Sequence, residues 1–225
     1  MTGPVAPLEA APWAVLAPVP AGGSVLWIGP ARGERLAQLS LIFDQVTKFD
    51  PTEEDGGAEP WKRLALPEAS VDLAVLPGVL GAVNRWGTGI RPRRAWESLL
   101  RATHARLKPG GYVFLAAENR WALSRAPTQG GGRRSVSASL RTYRRLLVRA
   151  GFSGIRIWCA FPNWDDTKFL VECRPWVFDH FLAILAPRPL KVERRAIRGV
   201  LNAVGALTKT ARWYWILGRR DAAAA

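Results

Sequence analysis

Gly29 and Gly33 bracket a short loop, Gly29-Pro30-Ala31-Arg32-Gly33, between the apolar run Val25-Leu26-Trp27-Ile28 and a stretch with helical spacing, residues 34–42. Asp50 closes a second short strand-like segment, residues 46–49. A strand, a glycine turn, a helix and a second strand ending on a carboxylate can hold a nucleotide. The glycines let backbone approach the ligand, the helix start offers N–H groups, and the carboxylate can accept hydrogen bonds from ribose hydroxyls. Pro30 and Ala31 stand where more glycine would suit such a loop, so the loop alone is compatible with several cofactor classes. Downstream, Glu118, Asn119, Tyr143 and the pair Asp165-Asp166 could accept or direct a proton. Each also has a plain structural role: Glu118 could pair with an arginine, and Asp165-Asp166 could cap a loop. His104 and His180 fall inside helical patterns. The sequence shows no Ser/His/Asp triad, no metal-ligand cluster and no phosphate-binding Lys loop.

The elements that must position these residues alternate. Strands are predicted at 25–28, 46–49, 71–76, 112–117, 155–161 and 168–173, with a short extra strand near 63–66. Helices are predicted at 34–42, 96–107 and 140–150, the last closed by Gly151. The helix at 96–107 stops at Lys108-Pro109-Gly110-Gly111, a basic turn followed by Pro and Gly. Residues 112–117 contain no interrupting polar side chain, which suits a strand covered on both faces. Residues 1–23 read as an N-terminal arm, 24–173 as the α/β core, and 174–225 as a helical extension. That extension has helices at 176–185 and 192–207 and ends in a strand-like run, 213–217, that could join the sheet. Strands alternating with helices predict an α/β, Rossmann-like fold: a mostly parallel seven-stranded sheet with helices on both faces.

Three ordered segments carry a family resemblance. Leu107-Lys108-Pro109-Gly110-Gly111-Tyr112-Val113-Phe114-Leu115 is similar to the signature before the fifth strand of class I S-adenosylmethionine-dependent methyltransferases. Leu66-Pro67-Glu68-Ala69-Ser70-Val71-Asp72-Leu73-Ala74-Val75 matches their segment into the fourth strand, and Ala150-Gly151-Phe152 with Ile155-Arg156-Ile157 their turn into the sixth. The resemblance spans roughly residues 22–173. It implies S-adenosyl-L-methionine as cofactor, with Gly29, Ala31, Gly33, Asp50 and Leu76 at cofactor-binding positions and Asp50 on the ribose hydroxyls. It also implies Glu118, Asn119 and Tyr143 as catalytic candidates and Trp121, Trp164 and Asp165 beside the acceptor. This chain departs from the family pattern twice in the loop. Trp27 stands where an acidic residue is usual, and Ala31 where a glycine is. Lys62-Arg63-Leu64-Ala65 also lacks the acidic residue or Asn expected to address an adenine amino group. Glu118-Asn119-Arg120-Trp121 and Phe161-Pro162-Asn163-Trp164 resemble a subgroup that accompanies cell-surface glycan or secondary-metabolite genes.

Charge and aromatic content bear on partners. Through residue 60 there are three Lys/Arg against eight Asp/Glu, while the whole chain is +14, so the remainder carries +19. A basic back half suits an anionic partner, or is simply arginine solvating helices. An anionic membrane surface is one candidate, through the amphipathic helix at 192–207 with Arg194, Arg195 and Arg198. Nucleic acid is less favoured. The family's Asn/Asp-Pro-Pro-aromatic run is replaced by Leu76-Pro77-Gly78-Val79, and the basic residues form no recognisable nucleic-acid module. Eleven tryptophans could line an acceptor pocket or a protein interface, or cover the sheet. Cys159 and Cys173 read as buried free thiols. Prolines and glycines interrupt the uncharged stretch 10–31, no secretory leader pattern opens the chain, and a cytoplasmic location follows as the expectation. Two functions stand: a methyltransferase acting on a small molecule or a glycan or natural-product intermediate, or a catalytically inactive methyltransferase-like binding or assembly partner.

Overall fold

Apolar runs too continuous to leave one face wet become strands buried on both sides. The computed structural model describes residues 18–30, 33–51, 59–82, 91–120, 137–162, 167–174 and 212–222. Its strands are β1 (Ser24–Ile28), β2 (Gln45–Phe49), β3 (Val71–Pro77), β4 (Leu107–Glu118), β5 (Phe152–Pro162), β6 (Thr167–Glu172) and β7 (Trp213–Arg220). The helices are α1 (Gly33–Ser40), α2 (Val79–Ala82), α3 (Pro92–Arg106) and α4 (Leu140–Arg149), with a 3₁₀ turn at Pro60–Arg63. All seven strands form one sheet in the order β2-β1-β3-β4-β7-β5-β6. The predicted helices at 176–185 and 192–207 lie outside the described residues, and so does the membrane-surface role read for the second. Among the described residues no helix is long and apolar enough to cross a membrane.

The sheet is mixed, which corrects the expectation of a mostly parallel one. The pairings among β2, β1, β3 and β4 are parallel, while those of β4 with β7, β7 with β5 and β5 with β6 are antiparallel and hold more paired residues. The strand-like run at 213–217 extends to Arg220 and enters the middle of the sheet as β7, reversing direction against both neighbours. β6 follows β5 after a connection too short for a crossover, so it too runs antiparallel. The extra strand predicted near 63–66 is absent. Its place is taken by the 3₁₀ turn, which starts on Pro60 and is anchored by buried Trp61, whose indole N–H donates to Ser98 Oγ at 3.0 Å.

Alternation along the strands divides the core in two. Leu26, Ile28, Ala74, Leu76, Val113, Leu115, Tyr214 and Ile216 face α3, α4 and the 3₁₀ turn. Val25, Trp27, Leu73, Val75, Phe114, Trp215 and Leu217 face Leu36 and Leu39 of α1, together with Phe43. Trp215 meets Phe114 edge-on, ring centroids 4.9 Å apart.

Paired charges close the amino edge of the sheet. Asp72 Oδ2 accepts from Ser24 N–H at 2.8 Å and from Lys108 Nζ at 2.8 Å. The Lys108-Pro109-Gly110-Gly111 segment bulges out of register between the Val71–Leu107 and Leu73–Tyr112 pairs. A Cβ on Gly111 would lie 2.9 Å from Lys108 O and 3.1 Å from Asp72 O, so the bulge that delivers Lys108 to Asp72 admits only glycine there. At the same edge Arg220, the last residue of β7, donates to the carbonyls of His104, Ala105 and Leu107 and satisfies the end of α3.

Burial pushes the Asp72 carboxyl up, but the Lys108 ammonium and the two Ser24 donors outweigh it and hold its pKa below the ordinary value. With a depressed folded-state pKa, the stabilisation is complete above the unfolded-state value of about 3.9 and is lost as pH falls through the lower folded-state value. Asp72→Asn should therefore cost about 1–3 kcal/mol at neutral pH, the scale of hydrogen bonds to a charged group. In urea titrations the gap to the parent protein should narrow near pH ~3. An equal gap at both pH values would remove the ionic account.

Candidate active site

The carboxyl ends of β1, β2, β3 and β4 share one edge, and two turns are stitched there. Gly29 N–H donates to Phe49 O at 2.8 Å, and Gly78 N–H to Ala116 O at 2.8 Å. Gly29 has φ +130°, and a Cβ there would come 2.7 Å from Val79 Cγ2. No side chain fits between the β1 turn and α2, so the backbone itself lines the edge. Trp27 is fully buried on the α1 face, and its indole N–H donates to Pro30 O at 3.3 Å. The residue that replaces the family's usual acid thus fills the core and holds the loop from beneath.

Gly33 opens α1, as its place after the loop requires. Asp50 follows the last residue of β2 and is buried, with 8% of its surface exposed. Leu76 is fully buried against α3 and α4 and pairs with Leu115 in the ladder, so its side chain belongs to the core. Only its backbone remains for a ligand. Ala31, Trp121, Trp164 and Asp165 lie outside the described residues.

Glu118 ends β4. Its Oε1 lies 3.7 Å from Arg212 Nε, so the arginine partner comes from the residue just before β7. Asn119 is buried; its N–H donates to Arg212 O at 2.8 Å, and it bridges to Ala138. Tyr143 corrects an expectation. Read as a side chain that could close over a substrate, it is instead 1% exposed and uses its hydroxyl twice. The O–H donates to Glu118 O at 2.7 Å and accepts from Ala138 N–H at 3.0 Å. Burial, chiefly, drives its pKa well above the ordinary tyrosine value, so it stays neutral and donating. Its ring stacks on Trp96 at 5.9 Å, and Trp96 Nε1–H donates to Leu80 O at 2.6 Å. Tyr143 is a positioning residue that ties α4 to the end of β4.

Two cavities meet at Ser139. One, of about 610 Å³, opens between the starts of α3 and α4, beside the end of β4. Arg91, Arg93, Arg94 and Arg120 line it together with Ser137 and Thr142. The other, of about 760 Å³, runs along the flank between α4 and the outer strands. Its floor includes Ile155, Ile157 and Cys173, and its rim Arg141, Arg144 and Arg156. The larger cavity lies beside the sheet and touches the β4 end only at Asn119, whereas the smaller one sits on the ligand-facing edge. Cys159 and Cys173 are free thiols with sulfurs 3.0 Å apart, and the Cys173 contact and burial raise the Cys159 pKa. The arginines at the start of α3 escaped sequence reading because the helix was predicted to begin at Trp96. Pro92, a residue suited to a first helical turn, is the signal that marks the true start. Nothing local announces Arg212 or the Trp96–Tyr143 stack.

Tyr143→Phe should leave Ala138 N–H and Glu118 O without their buried partner and cost about 1–3 kcal/mol. The urea midpoint should fall with the m-value unchanged; an unmoved midpoint would show that the hydroxyl does not hold these elements.

No protein-family model and no curated protein sequence matches the chain. Solved structures do. A SAM-dependent methyltransferase from Archaeoglobus fulgidus superposes with a TM-score of 0.56 at 18% identity, over 94% of this chain and 93% of that one. Phosphoethanolamine N-methyltransferase 2 of Haemonchus contortus, in complex with S-adenosyl-L-methionine, gives 0.54 at 15% identity, over 92% of this chain and 51% of that one. The 1,6-didemethyltoxoflavin-N1-methyltransferase of Burkholderia thailandensis, with its substrate and S-adenosylhomocysteine bound, gives 0.50 at 15% identity, over 96% and 77%. With its strands, its glycine turn and its sheet edge arranged in this way, the chain has the fold of the class I SAM-dependent methyltransferases.

Proposed function

We propose that this protein is an S-adenosyl-L-methionine-dependent methyltransferase acting on an oxygen or nitrogen of a small molecule, a glycan or natural-product intermediate. The observation that carries the reading is the side-chain-free turn at Gly29 lying one strand from buried Asp50, at the carboxyl edge of a sheet with the methyltransferase fold. These residues fit a nucleoside. Backbone at Gly29, and the helix start at Gly33, can approach a polar ligand closely, and Asp50 can accept from ribose hydroxyls. The backbone of Leu76, at the carboxyl end of the neighbouring β3, is also available there. Trp27 does not obstruct the fit, because its ring points into the core beneath the turn. That the Burkholderia neighbour was solved with a small-molecule substrate and the Haemonchus neighbour with S-adenosyl-L-methionine supports the class of acceptor and cofactor.

The cofactor, when bound, supplies a methyl group on a positively charged sulfur, already activated for transfer. The protein is then left with alignment, worth up to about 7–11 kcal/mol in favourable cases, and with the acceptor's proton. Glu118, at the end of β4, is the carboxylate placed to take that proton from a hydroxyl or ammonium group. Arg212 orients it, and Asn119 fixes the backbone beside it. Trp121, Trp164 and Asp165 are assigned to the acceptor's surroundings.

The competing reading is a methyltransferase-like binding or assembly partner without catalysis. Trp27 in place of an acid and Ala31 in place of glycine are what favour it. Calorimetry separates the two. The parent protein should bind S-adenosylhomocysteine, and Asp50→Ala should weaken that affinity about tenfold or more, the loss of roughly 1.4 kcal/mol or more. Absence of binding at millimolar ligand would leave the non-catalytic reading, and an unchanged affinity in Asp50→Ala would overturn the ribose assignment.

A further inference from the structure

Two helices open onto the smaller cavity, and of the two only α4 has a side-chain cap, Ser139 Oγ accepting from Thr142 N–H at 3.3 Å. Each presents a partial positive charge at its N-terminus, where acidic side chains are stabilising and basic ones are not. Yet neither α3 nor α4 has an acidic residue in its first turn. α3 begins Arg91-Pro92-Arg93-Arg94, and Arg91 provides no side-chain cap. Arg91, Arg93 and Arg94 are exposed, and among the described residues none of them pairs with a carboxylate. Arg120 brings a fourth guanidinium from the turn after β4. Among the described residues no acidic side chain lines the cavity, whereas Ser137, Ser139 and Thr142 bring hydroxyls to it. Two helix starts and three exposed arginines, Arg91, Arg93 and Arg94, thus face about 610 Å³ of space, and an anion there would relieve their mutual repulsion. That volume suits a small molecule.

We propose that this cavity is a subsite for a phosphomonoester: a small acceptor anchored by its phosphate between Arg93, Arg94 and Arg120, with its remaining atoms extending toward Glu118 and Asn119. A phosphate carries about −1.5 to −2 charges at neutral pH and three strong acceptor oxygens, which matches several guanidinium forks and a helix start better than a single carboxylate does. The binding site stands on the cavity's own residues. That the phosphate belongs to the methyl acceptor rests on the methyltransferase reading above.

Phenyl phosphate, benzoate and benzyl alcohol, titrated in low salt and read by calorimetry and tryptophan fluorescence, test the proposal. Phenyl phosphate should bind at least about tenfold more tightly than benzoate, and benzyl alcohol should not bind. The double variant R93Q/R94Q should weaken phenyl phosphate by about tenfold or more, while R149Q, at the far end of α4, stays within about twofold. Without ligand, R93Q/R94Q should melt at a temperature equal to or above the parent's, because repulsion at the helix start is relieved; added phenyl phosphate should reverse that order. Equal binding of benzoate, equal weakening by R149Q, or an unchanged affinity in R93Q/R94Q would overturn the subsite. So would vesicles carrying phosphatidic acid binding through these arginines while phenyl phosphate does not. S-adenosylhomocysteine titrated in parallel keeps the two readings apart. If it fails to bind while phenyl phosphate follows the arginines, the anion site stands and the methyltransferase reading falls.

Discussion

One buried hydroxyl holds the working edge of this protein together. Tyr143 lies between the carbonyl of Glu118 and the N–H of Ala138, and its ring rests on Trp96, which in turn donates to Leu80. A hydroxyl taken out of water must find partners or cost free energy, so its two hydrogen bonds constrain where β4 can end and where α4 can begin. The stack extends the same constraint to α3, and the indole bond extends it to α2. Glu118, Asn119 and both walls of the arginine-lined cavity hang on these four elements. A side chain that looked like a participant in chemistry is thus a tie between α4 and the end of β4.

The two edges of the sheet are treated oppositely. At the amino edge, charges are consumed: Asp72 by Lys108 and Ser24, and Arg220 by the carbonyls that end α3. Those bonds tie β1, β3, β4 and β7 together where no ligand is needed. At the carboxyl edge the backbone is stripped of side chains at Gly29, a carboxylate closes β2, and the guanidiniums of Arg91, Arg93 and Arg94 gather with no carboxylate partner among the described residues. Fields left uncompensated by the protein's own groups concentrate where ligands bind. The mixed sheet serves this division. Because β7 runs antiparallel, it brings Arg220 to the amino edge and Arg212, the residue before β7 that pairs with Glu118, to the other.

Much of the strand and helix layout was legible because the chain is buried on both faces. Uninterrupted apolar runs such as residues 73–77 have few alternatives to a central strand. Pro109-Gly110-Gly111 was legible for a related reason, since only glycine fits beneath the Lys108 bulge. Local pattern could not reveal strand direction, because an apolar run reads the same whether its neighbour is parallel or antiparallel. It misplaced a strand at 63–66, where a proline start and a buried tryptophan favoured a 3₁₀ turn. The turn at Gly29, the helix start at Gly33 and the place of Asp50 after β2 followed from turn chemistry and spacing. Tyr143 was picked out by position and assigned the wrong work, because burial is not a local property.

By itself, then, the amino-acid sequence determined the residues that local sterics and hydrophobic patterning dictate: the turn glycines, the strand cores, and the carboxylate that ends β2. Only the tertiary structure decided which long-range partners meet. It placed β7 between β4 and β5, gave Glu118 to Arg212, buried the Tyr143 hydroxyl, and drew arginines distant in sequence around one cavity. The division has a physical reason. Backbone preference and burial act within a few residues, whereas hydrogen bonds and charge act through space, between groups whose proximity exists only once the sheet has formed.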